Sequence, residues 1–215
     1  LIKIQSIKNR QIYTFKNEKY LIPKYDKKIL MNEANMFCDW YVKNNFTKTE
    51  TKKFSKKFRK KIKKLSNKLM LKENVFVHRD FHVSNLMIVK KNIGVIDGQD
   101  ALIGNRAYDL ASLIDDVRLK TSKSFKKKIF NFYLKKQKKN NIHKFKNDFE
   151  ILSIMRNLKI IGIFTRLAIR DGKKNYLKLI PYSRKLISMR INENEAFKDL
   201  KNLLNEKFKK KLNEN

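Results

Sequence analysis

Apolar residues along the chain fall into helical spacing on both sides of a short stretch with strand character. Residues 1–8 have the texture of a helix end, and residues 11–21 form a polar, strand-like stretch that leads into Pro23. Ile29, Leu30, Ala34, Phe37, Trp40 and Tyr41 recur one helical turn apart and predict a helix over 27–44. Phe54, Phe58, Ile62, Leu65 and Leu69 predict a second over about 51–71, with lysine filling its other face. The texture then changes. Residues 75–77, 85–89 and 93–96 are short apolar runs, the last two joined by the turn-forming Lys90-Lys91-Asn92. They predict small hairpins carrying loops, not a large sheet. From Tyr108 onward the pattern is helical again, over 109–119, 125–138, 145–170, 173–189 and 195–212, with Pro181 starting or kinking a turn. Neither a repeat nor a Pro/Gly-rich linker divides the chain. The expectation is one mostly α (α+β) domain over residues 1–215 with a small β insert in its middle.

Composition narrows the class. The 215 residues are 41% hydrophobic and include 15 Phe, enough to bury a core, which excludes a disordered chain. A single cysteine, Cys38, excludes a disulfide scaffold and a zinc site of two or more thiolates. No apolar run reaches the length of a membrane span, and the start lacks the regions of a signal peptide, so a soluble, cytoplasmic protein with no membrane partner is expected. The 53 Lys+Arg against 20 Asp+Glu give a net charge of +33. Lys is abundant together with Asn, Ile and Phe, all encoded by A/T-rich codons, and it is spread along the whole chain. The charge is therefore read as a solvated surface that binds polyanions non-specifically, not as a specific nucleic-acid site.

Candidate chemistry is concentrated between Val75 and Asp116. His78, Arg79 and Asp80 follow the first predicted strand, Asn85 opens the second and Asp97 closes the third. A hairpin sets the start of one strand beside the end of its partner, so the oxygens of Asn85 and Asp97 can converge, with Asp80 one short loop away. Two carboxylates and an amide oxygen form a hard-oxygen cluster suited to Mg²⁺ on a phosphate substrate. Taken singly, an Asp in a loop is ordinarily a turn residue or a cap, and a lone His is ordinarily a satisfied core or surface group.

The segment H-R-D-F-H-V-S-N, from His78 to Asn85, resembles the catalytic loop H-x-D-x-x-x-x-N of protein-kinase-like phosphotransferases. His82 and the following V-I-D are similar to the aminoglycoside-phosphotransferase branch. The run from His78 to Met87, then Asp97-Gly98-Gln99-Asp100-Ala101, then Tyr108 to Leu113, resembles more closely the cell-wall amino-sugar kinases. Those enzymes phosphorylate the anomeric hydroxyl of N-acetylmuramic acid and N-acetylglucosamine. Ile22 to Asp26 and Phe37 to Tyr41 are also similar to that group.

The resemblance implies an ATP- and Mg²⁺-dependent small-molecule kinase. Asp80 would orient the attacking hydroxyl, Asn85 and Asp97 would hold Mg²⁺, and His78 would brace the loop. Asp109 would hold the catalytic loop from a helix N-terminus. His82, Gln99 and Asp100 are implied as substrate-facing. Trp40 is a sugar-stacking candidate that reads equally as core. Two departures stand out. Gly98 replaces the family's Phe, removing a ring from beneath Asp97. None of the five glycines is spaced as a phosphate flap, and no strand lysine precedes the loop. With Leu1 in place of a Met, the expectation is a kinase-like large C-terminal lobe, N-terminally truncated, whose missing N-lobe the intact chain supplies. That lobe alone should show little or no activity. The alternatives are a kinase for choline, homoserine or an aminoglycoside, and an inactive basic lobe that binds nucleic acid or other polyanions.

Overall fold

The computed structural model describes residues 1–72, 74–137 and 141–212, with backbone alone over 209–212. In chain order, α1 (Ile2–Gln5) precedes a hairpin of β1 (Gln11–Tyr13) and β2 (Lys19–Leu21). Next come α2 (Lys27–Met36), a π-helical stretch (Phe37–Val42), α3 (Lys43–Asn45) and α4 (Lys48–Ser66). The short strands β3 (Asn74–Val77), β4 (Leu86–Val89), β5 (Asn92–Val95) and β6 (Leu102–Asn105) follow. The rest is helical: α5 (Ala107–Ile114), α6 (Lys123–Lys135), α7 (Ile142–Arg170), α8 (Ile180–Asn192) and α9 (Lys198–Leu212). The architecture is mostly helical with small two-stranded sheets. Among the described residues no helix is long and apolar enough to cross a membrane.

Two compact units divide these elements. One comprises Leu1–Asp26 with Met70–Phe149, and the other Lys27–Leu69 with residues 150 onward, so α7 contributes its first turns to one unit and the remainder to the other.

The second unit is built on aromatic packing. Phe37 stacks on Tyr41 at 5.3 Å and meets Phe58 at 5.5 Å and Phe208 at 5.8 Å between ring centroids. The predicted basic helix begins earlier than its apolar stripe suggested. Thr47 and Glu50 form a capping box, with the Thr47 hydroxyl accepting from the Glu50 amide and the Glu50 carboxylate accepting from the Thr47 amide. The helix ends at Ser66, short of the expected Leu71. On α7, Gly162 has no room for a side chain, since a Cβ would lie 2.3 Å from the Met36 carbonyl carbon and oxygen. Burial in this unit pushes the Cys38 thiol up to about 12.

The first unit carries the strands, and β6 was not anticipated. It pairs antiparallel with β3, Val77 opposite Leu102 and Val75 opposite Gly104. The segment after Pro23 also lies along β6: the Ile103 amide donates to the Pro23 carbonyl at 2.8 Å, and the Tyr25 amide donates to the Ile103 carbonyl at 2.7 Å. Glycine is required at 104, because a Cβ there would sit 2.7 Å from that of Tyr25. The β4–β5 hairpin has the expected turn, with Leu86 opposite Val95. The helix predicted over 125–138 runs over Lys123–Lys135, and its predicted last residue, Lys138, lies outside the described residues.

Candidate functional site

The loop between β3 and β4 is pinned at its base by one buried carboxylate. Asp109 sits in the first turn of α5 and is fully buried. Its Oδ2 accepts the His78 amide at 2.8 Å and its Oδ1 accepts the Arg79 amide at 3.0 Å. Two backbone donors on one buried carboxylate fix the direction in which the chain leaves β3. α5 begins at Ala107, so Asp109 lies within the first turn instead of opening the helix. The N-terminal end of that helix favours a negative charge there.

Arg79 adopts a left-handed backbone, φ 72°, which costs a non-glycine residue about 1 kcal/mol or more. Its side chain shows what supports it. The guanidinium lies 5.6 Å from the centroid of the Tyr25 ring, and Nη1 donates to the Asp100 carbonyl at 3.0 Å. Arg79 thus ties this loop to the loop after β5. His78 makes a second tie. Its ring is buried, and Nε2 is 2.9 Å from the Ile96 carbonyl, which can only accept, so Nε2 carries the proton. The ring bonds to backbone and is occupied as a brace.

Asp80 is half-buried, and its carboxylate has no hydrogen bond or ion pair among the described residues. Its backbone carbonyl is used instead, accepting the His82 amide at 2.9 Å and the Asn85 side-chain Nδ2 at 3.0 Å. Asn85 is buried, and Nδ2 also approaches Asp97 Oδ2 at 3.4 Å. With its nitrogen facing those oxygens, the amide carbonyl oxygen is left for a cation or water. Asp97 is exposed and left-handed at φ 68°, and Gln99 Nε2 donates to its Oδ1 at 2.6 Å. The ladder places this pair: Leu86 faces Val95, the Ile96 amide donates to the Asn85 carbonyl at 3.1 Å, and Asp97 follows.

The structure thus brings together Asp80, Asn85, Asp97, His78, Asp109 and Gln99. His82 is buried at the start of the Val83–Asn85 turn, and the Asp100 side chain is exposed while its carbonyl holds Arg79. Trp40 belongs to the other unit, half-buried in the π-helical stretch. A Cβ on Gly98 would meet the His78 ring at 3.8 Å, an ordinary contact, so the position has room for a Cβ.

The donor set identifies the kind of cation it fits. Among the described residues no group of three or more His, Cys, Asp or Glu could hold a metal. One carboxylate and one amide oxygen suit a hard cation that draws its remaining ligands from water and substrate phosphate, as Mg²⁺ does. Two residues escaped the sequence reading. Arg79 was read only as part of a motif, though its positive φ and its bond to Asp100 make it structural. Asp116 accepts the Val83 amide at 3.0 Å; the helix expected over 109–119 ends at Ile114, which leaves Asp116 beyond it.

Residues 33–144 match the model of the phosphotransferase enzyme family. The chain is 34% identical over 167 residues to the N-acetylmuramate/N-acetylglucosamine kinase of Neisseria meningitidis serogroup B, covering 75% of this chain and 50% of that one. To the N-acetylmuramate/N-acetylglucosamine kinase of Pseudomonas aeruginosa it is 31% identical over 167 residues, covering 75% and 49%. The chain spans about half the length of the curated relatives it matches. The family match takes in the loop, the hairpin and α5, and extends over slightly more than half of the residues; this chain belongs to the phosphotransferase enzyme family.

Proposed function

We propose that this chain carries the acceptor- and metal-binding half of an ATP-dependent kinase for a small molecule, and that the acceptor is the anomeric hydroxyl of a cell-wall amino sugar. The observation that carries the reading is the Asp80 carboxylate: half-buried, without a hydrogen bond or ion pair of its own among the described residues, in a loop whose backbone is held by Asp109 and Asp116. A carboxylate held in that way is available to accept a hydrogen bond from an incoming hydroxyl and to orient it for attack on a phosphoryl group. Asn85 and Asp97 are the residues that would hold Mg²⁺, which when bound neutralises charge on the nucleotide phosphates. Asp109 and His78 contribute no atom to the reaction in this reading; they keep the loop in register with the hairpin. His82, Gln99 and Asp100 remain candidate acceptor contacts, of which Gln99 also orients Asp97.

Support for an amino-sugar acceptor comes from the names of the relatives, each an N-acetylmuramate/N-acetylglucosamine kinase. The test is phosphate transfer from ATP with Mg²⁺ by the full-length protein that contains this chain, followed by phosphorus NMR. The acceptor panel holds N-acetylmuramate, N-acetylglucosamine, choline, homoserine and an aminoglycoside. A new anomeric phosphate on the amino sugars, lost in Asp80→Asn, is the expected result. Transfer to choline, homoserine or the aminoglycoside in its place would move the assignment to another small-molecule kinase.

A further inference from the structure

We infer that Asp116 is a second positioning residue for the loop that presents Asp80 and Asn85, holding its far end as Asp109 holds its near end; the inference rests on the function proposed above for those two residues. Asp116 is 1% exposed. Its Oδ2 accepts the Val83 amide at 3.0 Å, while Oδ1 accepts the Arg118 amide at 3.0 Å and lies 3.5 Å from Arg118 Nη1. Val83 opens the single 3₁₀ turn Val83–Asn85, and His82 before it supplies no side-chain cap. The first N–H groups of a helical turn have no partner within the turn itself. Asp116 supplies that partner from 33 residues further along the chain.

The two acids bracket α5. Asp109 is in its first turn, and Asp116 lies two residues past its last, Ile114. At about 1.5 Å per helical residue the helix keeps the two anchors roughly 10 Å apart. The end that carries Asp116 is itself fixed. Lys126 on α6 donates to the Ile114 carbonyl and pairs with Asp115 at 3.3 Å, and both side chains are buried. The loop is therefore clamped at residues 78 and 79 by one carboxylate and at residue 83 by the other. Asp80 stands between the clamps and Asn85 directly after the second. The Asp80 carbonyl then receives the Asn85 side chain, so a shift of the 83–85 turn displaces both functional groups together.

Removing the Asp116 carboxylate leaves the Val83 and Arg118 amides without their acceptor. The turn relaxes, and the separation of Asp80 from Asn85 is no longer defined. Misplacement of a reacting group by about 1 Å costs on the order of hundredfold in rate. The loss should appear in kcat and spare acceptor binding, because Asp116 is buried and both of its oxygens are taken by backbone amides.

The test compares Asp116→Ala and Asp116→Asn with wild type and Asp80→Asn in the full-length protein, using the amino-sugar transfer assay, amide hydrogen exchange at Val83 and the unfolding midpoint. Expected for Asp116→Ala is a kcat lowered about tenfold to hundredfold per folded molecule, with acceptor KM changed less than about threefold. Faster exchange should be confined to residues 82–85. Asp116→Asn keeps one acceptor oxygen and should lose less, and it carries the same readouts if the alanine variant does not fold. An unchanged kcat per folded molecule in a variant whose Val83 amide has lost protection would overturn the inference, and would leave the reading of Asp80 standing. A Val83 amide that exchanges as fast in wild type as in the variants overturns it whatever the rates. Transfer by Asp80→Asn at the wild-type rate would instead overturn the proposed function.

Discussion

In the unit built from residues 27–69 and 150 onward, the interior is a cluster of rings, with each of Phe37, Tyr41, Phe54, Phe58 and Phe208 within 6.3 Å of at least two of the others by centroid. In the unit that carries Asp80, the corresponding organising groups are carboxylates. Asp109 takes two backbone amides, Asp116 takes two more, and Asp148 takes the Met70 and Leu71 amides together with the side chains of Asn105 and Asn147. Ring packing is stabilising in proportion to the area removed from water and has little directional demand. A buried carboxylate with several backbone donors fixes the direction of each one, and it is costly to leave half-paired. Substitutions in the first kind of interior should lower stability. In the second kind they should move a loop, and so change chemistry before they change the fold.

The largest effect on stability is expected from Phe58→Ala. Phe58 is fully buried among the rings. Its truncation should remove about 3–5 kcal/mol of unfolding free energy in a urea titration. The rate per folded molecule should stay unchanged; a selective loss of rate would erase the distinction between the two units.

Cys38 gives an effect that depends on pH. Desolvation is the main cause of its raised pKa, and the Ser55 hydrogen bond opposes it. In the unfolded chain the thiol ionises near its ordinary value of 9.0, and in the folded protein only near about 12. Its contribution to stability is therefore fully present below pH 9 and is lost progressively as the pH rises toward 12. A thiol reagent at pH 8.5 should label Cys38 only on unfolding, and the unfolding midpoint should fall across that window. Rapid labelling of the folded protein would contradict the burial.

The smallest effect is expected at Gly98. The open contact with His78 predicts that Gly98→Phe changes stability by no more than about 0.5 kcal/mol. A ring beneath Asp97 should lower the Mg²⁺ concentration needed for half-maximal transfer. A raised requirement would mean that the ring displaces Asp97 instead of supporting it.

Much of this was legible in the sequence because the periodicity was strong. The apolar stripe on α4 and the runs that became β3, β4 and β5 each stood out against their flanks, and so did the spacing of His78, Asp80, Asn85 and Asp97. β6 was hidden because Leu102-Ile103-Gly104-Asn105 is short, contains a glycine and pairs with β3 across 24 or more intervening residues. The start of α4 was signalled by Thr47 and Glu50, which carry no apolar pattern. Asp116 was not legible because its role depends on an amide 33 residues away, and sequence spacing holds no trace of that contact.

The central claim is that Asp80 acts on the acceptor hydroxyl and does not hold the fold. The direct measurement is Asp80→Asn in the full-length protein, with transfer rate and unfolding midpoint read on the same preparation. The account predicts a rate at least about a hundredfold lower, within the usual range for loss of a positioned acid–base group. The midpoint should stay near that of wild type, because the carboxylate makes no bond that the fold relies on. A variant that unfolds early, or one that transfers phosphate at the wild-type rate, would contradict it.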